Sequence, residues 1–293
     1  MRPWAWAVIA AVTVLMPPAL AQSAVPDKAP AAEKSASAAT DVQSELQQEF
    51  GRQLIDAGRG LVVDPKADVG DQRQTLLRRA SLFEEVKEYA KSEADLTTAT
   101  QLSPPSASIY SDRGYFYMRR GRYGEAIIDF TTGRDLEPRN PRFLYALGRA
   151  QAALGNYAAA VDFYGQAIKL SDRNSSFYLA RAEAQIHLAQ PGLALPDYDR
   201  AIDLRLSTAV DRYYAYLGRG YAALMVRDYH GAITSLDRAL EIDPEAVDAL
   251  LWRGYARELS GQPAAALNDY EQAAAVDPED RSARANVRRL RSN

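Results

Sequence analysis

The sequence predicts an all-α protein built from repeated helix hairpins. Three observations carry that expectation. Small and aromatic residues recur with a period of 34 residues, each half-period shows helical spacing, and glycine or proline falls where helices should end. The clearest copy is 107–140. Tyr110, Gly114 and Tyr117 lie four and three residues apart, which puts them on one helix face. Gly121 breaks that helix, a second begins near Tyr123 with Ala126, Phe130 and Gly133 inward, and Pro138 stops it. Two antiparallel helices approach closely only where small residues meet, which Gly114, Ala126 and Gly133 allow. One hairpin cannot bury its own apolar faces, so it needs neighbours.

Shifting the frame by 34 residues gives Leu144, Gly148, Gly155, Tyr157, Ala160, Tyr164 and Ala167, then Tyr178, Ala182, Ala194, Tyr198 and Ala201. After four extra residues the pattern returns as Tyr216, Gly220, Tyr229, Ala232, Leu236, Ala239 and Pro244. It continues as Leu250, Gly254, Gly261, Ala266, Tyr270, Ala273 and Pro278. Upstream, Leu76, Ala80, Phe83, Tyr89, Ser92, Leu96, Ala99 and Pro104 fit a weaker copy. Six copies result: 73–106, 107–140, 141–174, 175–208, 213–246 and 247–280. This period and pattern resemble the tetratricopeptide repeat. The resemblance implies a right-handed α-solenoid of about six hairpins, flanked by an N-terminal amphipathic helix and a C-terminal capping helix.

The rest of the chain lies mostly at its N-terminal end. Residues 1–21 read as a signal peptide: Arg2, an apolar run from Trp4 to Met16, and Ala19-Leu20-Ala21 as a small-x-small cleavage site. The run is short of the about 20 apolar residues a membrane span needs, although an uncleaved anchor is the competing reading. No cysteine follows the cleavage site, which argues against a lipoprotein, and in a bacterium the mature protein would be periplasmic or secreted. Residues 22–40, rich in Ala, Ser and Pro, read as a flexible linker. Residues 41–72 form an amphipathic helix and connector, with Asp41 as cap and Val42, Leu46, Phe50, Leu54 and Ile55 at helical spacing. The 41–60 helix is a half-repeat cap, an oligomerisation helix or a partner-binding helix, capping being the simplest because solenoid ends need covering.

Departures inside the array carry their own expectations. The four-residue insertion falls near 206–212, where Thr208-x-x-Asp211 resembles a capping box, so the next helix should start one turn early. Pro196 falls well inside a second helix and should kink or delay it, making 188–212 the least regular stretch. Residues 281–293 carry five arginines, with Ala283, Val287 and Leu290 on one side. They read as a basic capping helix over the last repeat, or as a basic patch for an acidic partner or an anionic surface.

Catalytic signatures are absent. There is no cysteine, so disulfides, thiolate metal sites and cysteine nucleophiles are excluded. His187 and His230 sit in different repeats with no partner at metal-ligand spacing, and read as polar surface residues. Gly218-Arg-Gly220-x-x-Ala223 matches a dinucleotide fingerprint formally, but with no strand before it and a helix around it. No cofactor or metal is expected. A formal charge of −3 gives no reason to expect nucleic acid.

Binding is therefore the expected activity. The family resemblance places the second, fifth, ninth, twelfth and thirteenth positions of each copy on a concave groove. These give Ser111, Tyr115, Met118 and Arg119, then Tyr145 and Arg149, then Leu179, Glu183, Ile186 and His187. They continue as Tyr214, Leu217, Tyr221, Leu224 and Met225, and end with Leu251, Tyr255, Glu258 and Leu259. A tyrosine- and leucine-rich wall with adaptable methionines suits an amphipathic helix or extended peptide of another envelope protein. The lysines and asparagines of the family's carboxylate clamp are missing, so that mode is not carried over. Tyr115, Tyr221 and Tyr255 serve equally as packing residues between first helices. Arg113, Arg219 and Arg253 recur before the small glycine, with Asp129, Asp197 and Asp269 as partners in exposed pairs of about 0–1 kcal/mol. Two other functions compete: tyrosine stacking on an envelope polysaccharide, and self-assembly through 41–60 into a homo-oligomer.

Overall fold

The computed structural model describes residues 60–292, which form two compact units, 60–154 and 155–292. The signal segment, the linker and all of the 41–60 helix but Gly60 lie outside the described residues. The first unit contains α1 (Val69–Glu85), α2 (Tyr89–Gln101), α3 (Ala107–Arg119), α4 (Tyr123–Leu136) and α5 (Pro141–Ala153). The second contains α6 (Tyr157–Leu170), α7 (Ser175–His187), α8 (Pro191–Asp203), α9 (Ala209–Met225) and α10 (Tyr229–Ile242). It continues with α11 (Val247–Leu259), α12 (Pro263–Val276) and α13 (Arg281–Arg291). No strand occurs among the described residues, and within each unit every helix packs on the next in sequence. The architecture is the all-α run of helix hairpins that the 34-residue period predicts.

Each hairpin turn solves the same problem, the unsatisfied carbonyls of a helix end, in the same way. The residue fifteen places into the copy takes a left-handed backbone: Lys87 (φ 63°), Gly121 (71°), Ala189 (55°), Arg227 (64°) and Gly261 (80°). Its N–H and the next one then fold back. Gly121 N–H donates to the Met118 carbonyl at 3.2 Å and Arg122 N–H to the Tyr117 carbonyl at 2.9 Å, the Schellman pattern. Only glycine adopts this conformation without steric cost.

Register within a hairpin is set at an offset of sixteen residues. A Cβ on Gly114 would come within 2.5 Å of the Phe130 ring. One on Gly220 would come within 2.7 Å of Leu236, and one on Gly254 within 2.7 Å of Tyr270. The bulk of the second helix thus fills a notch that the first helix leaves empty.

The insertion extends α9 at its N-terminus, as the cap predicts. Thr208 Oγ1 accepts from the Asp211 N–H at 2.9 Å, and α9 runs 17 residues where α3, α7 and α11 run 13. The expectation that Pro196 delays its helix is corrected: α8 is unbroken from Pro191 to Asp203. Pro196 lies on an exposed face in the second turn of α8. At the far end, Ala283 of α13 is fully buried in an apolar cluster with Leu250, Tyr270 and Ala273, and Val287 and Leu290 pack against it.

The turn geometry predicts opposite effects of exchanging side chains at equivalent sites. Gly121→Ala should lower the denaturation midpoint by an amount equivalent to about 1 kcal/mol, and Arg227→Gly should raise stability by a similar amount. Equilibrium urea unfolding of both variants checks this, and shifts of the same sign would contradict it.

Candidate partner-binding faces

What a first helix offers a partner depends on how it is held, and an arginine seven places into the copy holds it. In the first unit Arg113 donates to both carboxylate oxygens of Asp129 on α4, at 2.8 and 2.7 Å. It also reaches Thr100 on α2, at 3.2 Å. Arg79 makes the same fork to Asp95 at 2.7 and 2.6 Å. In the second unit Arg181 forks to Asp197 at 2.7 Å, and Arg253 binds Asp269 on α12 and Asp237 on α10. Where serine replaces the aspartate, Arg219 donates to Ser235 on α10 at 2.7 Å and to Asp199 on α8 at 2.5 Å.

Two expectations change here. Asp197 pairs with Arg181, not Arg219, and the pairs are not exposed: Asp129 and Asp269 are 1 % exposed. A carboxylate taken that far out of water depends on its fork, so breaking one partner costs far more than a surface pair. The Arg79–Asp95 and Arg181–Asp197 pairs share the sixteen-residue offset, which was the available signal for them.

In the first unit, Tyr115 is half-buried with its ring edge on Phe130, centroids 5.1 Å apart. Met118 and Tyr145 are also half-buried, and the exposed Arg149 stands over the Tyr145 ring at 5.9 Å. Arg119, exposed, is committed to Glu84 on α1 by a fork of 2.6 and 2.7 Å.

In the second unit α7, α9 and α11 lie side by side. Leu179, Tyr221 and Leu251 are 6–7 % exposed, each inside an apolar cluster, so they build the wall and offer a ligand little surface. Tyr221 meets Trp252 edge-on at 5.1 Å. Glu183, Leu217, Met225 and Tyr255 are half-buried, with one side available. Trp252, not among the groove positions, packs against three apolar clusters and joins α11 to its neighbours. Its signal was its rarity, since the other two tryptophans lie in the signal segment. His187 stacks on Tyr157 at 4.2 Å, and burial lowers its pKa below the ordinary histidine value. Glu258 accepts a fork from Arg289 of α13 at 2.6 and 2.7 Å, which holds its carboxyl below the usual range.

The formal dinucleotide match lies inside α9, where its backbone N–H groups are spent on the helix. Among the described residues no group of three or more His, Asp or Glu could hold a metal ion, and no helix is long and apolar enough to cross a membrane.

Sequence profiles of the tetratricopeptide repeat match residues 141–174 and 217–284. Solved structures agree. YrrB, described as a tetratricopeptide protein with an unusual peptide-binding site, is 19% identical over 64% of this chain and 95% of its own, with a TM-score of 0.56. These findings support the tetratricopeptide repeat family. MamA from Desulfovibrio magneticus is 22% identical over 59% of this chain and 95% of its own (TM-score 0.54). The C-terminal part of a tetratricopeptide repeat protein from Cytophaga hutchinsonii is 15% identical over 83% and 98% (TM-score 0.63). At these identities the likeness is one of fold. No curated protein matches. With 326 chains of solved structures matching this chain, fold alone selects no partner.

Two expectations test how the faces are held. Asp129→Asn leaves the Arg113 charge short of its partner and should cost about 3 kcal/mol. The double change Arg113→Leu, Asp129→Phe should recover much of it, because copy 141–174 carries Leu147 and Phe163 at those positions. Urea unfolding of the three proteins decides this, and a double variant no better than the single would sink it. Glu258 has a folded pKa below its unfolded value, so its contribution is complete above that unfolded value, about 4.3, and is lost as pH falls through the lower folded value. The stability gap between the parent and Glu258→Gln should therefore be constant from pH 7 to about 5 and narrow below about 4. A gap that does not narrow in the acid limb contradicts the pairing.

Proposed function

We infer that the protein is a non-catalytic interaction scaffold of the bacterial envelope, exported by its 1–21 segment, whose first-helix faces hold a peptide or helix of a partner protein. The observation that carries this reading is the row of half-buried side chains on adjacent first helices, with Leu217 and Met225 on α9 and Tyr255 on α11. Each is fixed from behind by buried neighbours, so it presents apolar area without a large loss of side-chain freedom. Tyrosine adds a hydroxyl for orientation, and methionine adapts to an irregular partner surface. In the first unit Tyr115, Met118 and Tyr145 offer the same chemistry, with Arg149 beside them for an acidic residue. The peptide-binding site named for YrrB supports the same kind of ligand on this fold. Localisation rests on the sequence of the 1–21 segment.

Site-specific photocrosslinking in intact cells tests the reading. A benzoylphenylalanine at Tyr255 or Tyr145 should capture one protein segment, whereas one at the exposed Ile128 or Arg238 of a second helix should not. The capture at Tyr255 should disappear when Leu217 and Met225 are changed to Ala in a protein of unchanged helicity. Equal capture from second-helix positions would overturn the placement. Recovery of the protein with its leader intact in the cytoplasm would overturn the envelope assignment alone.

A further inference from the structure

The C-terminal helix continues the repeat frame. α13 starts at Arg281, 34 residues after Val247 starts α11, so Arg284 and Arg288 stand where Leu250 and Gly254 stand in the copy before. In the complete hairpins those two positions are apolar and small, and they face the second helix: Gly254 lies against Tyr270, as Gly114 lies against Phe130. On α13 the equivalent face is arginine, and among the described residues nothing packs on it. An open cavity of 290 Å³ lies there, lined by Ala274 of α12 with Arg284, Val287 and Arg288.

Four of the five arginines of α13 divide into two sets. Arg289 and Arg291 are bound to Glu258 and Glu271, with closest approaches of 2.6 and 2.8 Å, and pin the helix to its unit. Arg284 and Arg288 are exposed and reach only backbone carbonyls, those of Glu279 and Arg284, each at 3.4 Å, the outer limit of hydrogen bonding. They have no carboxylate partner among the described residues, so both forks remain free for one.

We propose that this seam takes an acidic amphipathic helix of a partner protein, packed on α12 and α13 where the next second helix of the array would lie. The small floor of Ala274 and Val287 admits close helix approach. Arg284 and Arg288 are one turn apart, which matches Asp or Glu residues four apart on the incoming helix. None of the residues that line the seam is a large exposed apolar side chain, which offers a bilayer nothing to insert.

The probe is a synthetic helical peptide with a Leu/Ala stripe flanked by two glutamates one turn apart, titrated by fluorescence anisotropy into the full chain. Binding should be saturable. It should weaken roughly tenfold or more when Arg284→Glu and Arg288→Glu are combined, at an unchanged melting temperature because both side chains are exposed. A peptide with lysines in place of the glutamates should then bind the charge-reversed protein, and Arg288→Ala alone should give an intermediate loss. Several results overturn the proposal: no binding to the parent, equal binding of a peptide of the same charge with its stripe scrambled, or no effect of the variants. Sedimentation with phosphatidylglycerol vesicles that the peptide does not compete overturns it in favour of a lipid surface.

Discussion

The arginine at the seventh position of five of the six copies is the constraint that holds most of the hairpins in place. It stands on a first helix, and in three copies it reaches the second helices on both sides. Arg113 touches Asp129 on α4 and Thr100 on α2, Arg219 touches Ser235 on α10 and Asp199 on α8, and Arg253 touches Asp269 on α12 and Asp237 on α10. One side chain therefore fixes both the register within a hairpin and the spacing to the hairpin before it. The neighbouring eighth position does the complementary steric work, a small residue admitting the ring or isobutyl group of the residue sixteen further on. Charge and volume are set by adjacent residues at the same offset, so a slip of register would break both together. That coupling makes the arrangement specific even though a buried ion pair adds little net stability over an apolar one.

Much of this was legible in the sequence because repetition supplies its own controls. The small positions, the hairpin turns and the Thr208 cap follow from residues that recur or fail to recur at fixed offsets. What one copy does not reveal is the reach of a side chain into its neighbour. Arg219 sits in frame with Arg113, yet Ser235 replaces its aspartate and it turns back to Asp199 on the preceding helix. Pro196 misled as well. Its position in the second turn, near the helix start, leaves α8 continuous.

The binding faces were legible to position but not to depth. Tyr221 and Tyr255 occupy equivalent places in successive first helices, and both are tyrosines. The first is nearly closed off by Trp252, while the second keeps one side open. The ring that covers Tyr221 belongs to position six of the following copy, tryptophan at 252, whereas the equivalent residue after Tyr255 is Asn286. A repeat frame assigns each residue a direction, and the bulk of the next copy decides how much of it emerges.

This division of labour bears on how such a scaffold changes partners. In arrays of this kind each repeat is stabilised mainly by itself and its nearest neighbours. In the second unit the buried wall of Leu179, Tyr221 and Leu251 maintains the contacts between first helices, whereas Leu217, Met225 and Tyr255 border it from the open side. Substitutions at the half-buried positions alter the surface without touching the arginine forks or the small-to-large contacts that set register. Substitutions at the wall positions change the spacing of the first helices, and with it every pocket they form. The residues that specify the fold and the residues that would meet a ligand are thus neighbours on the same helix turn, separated by depth and not by sequence distance.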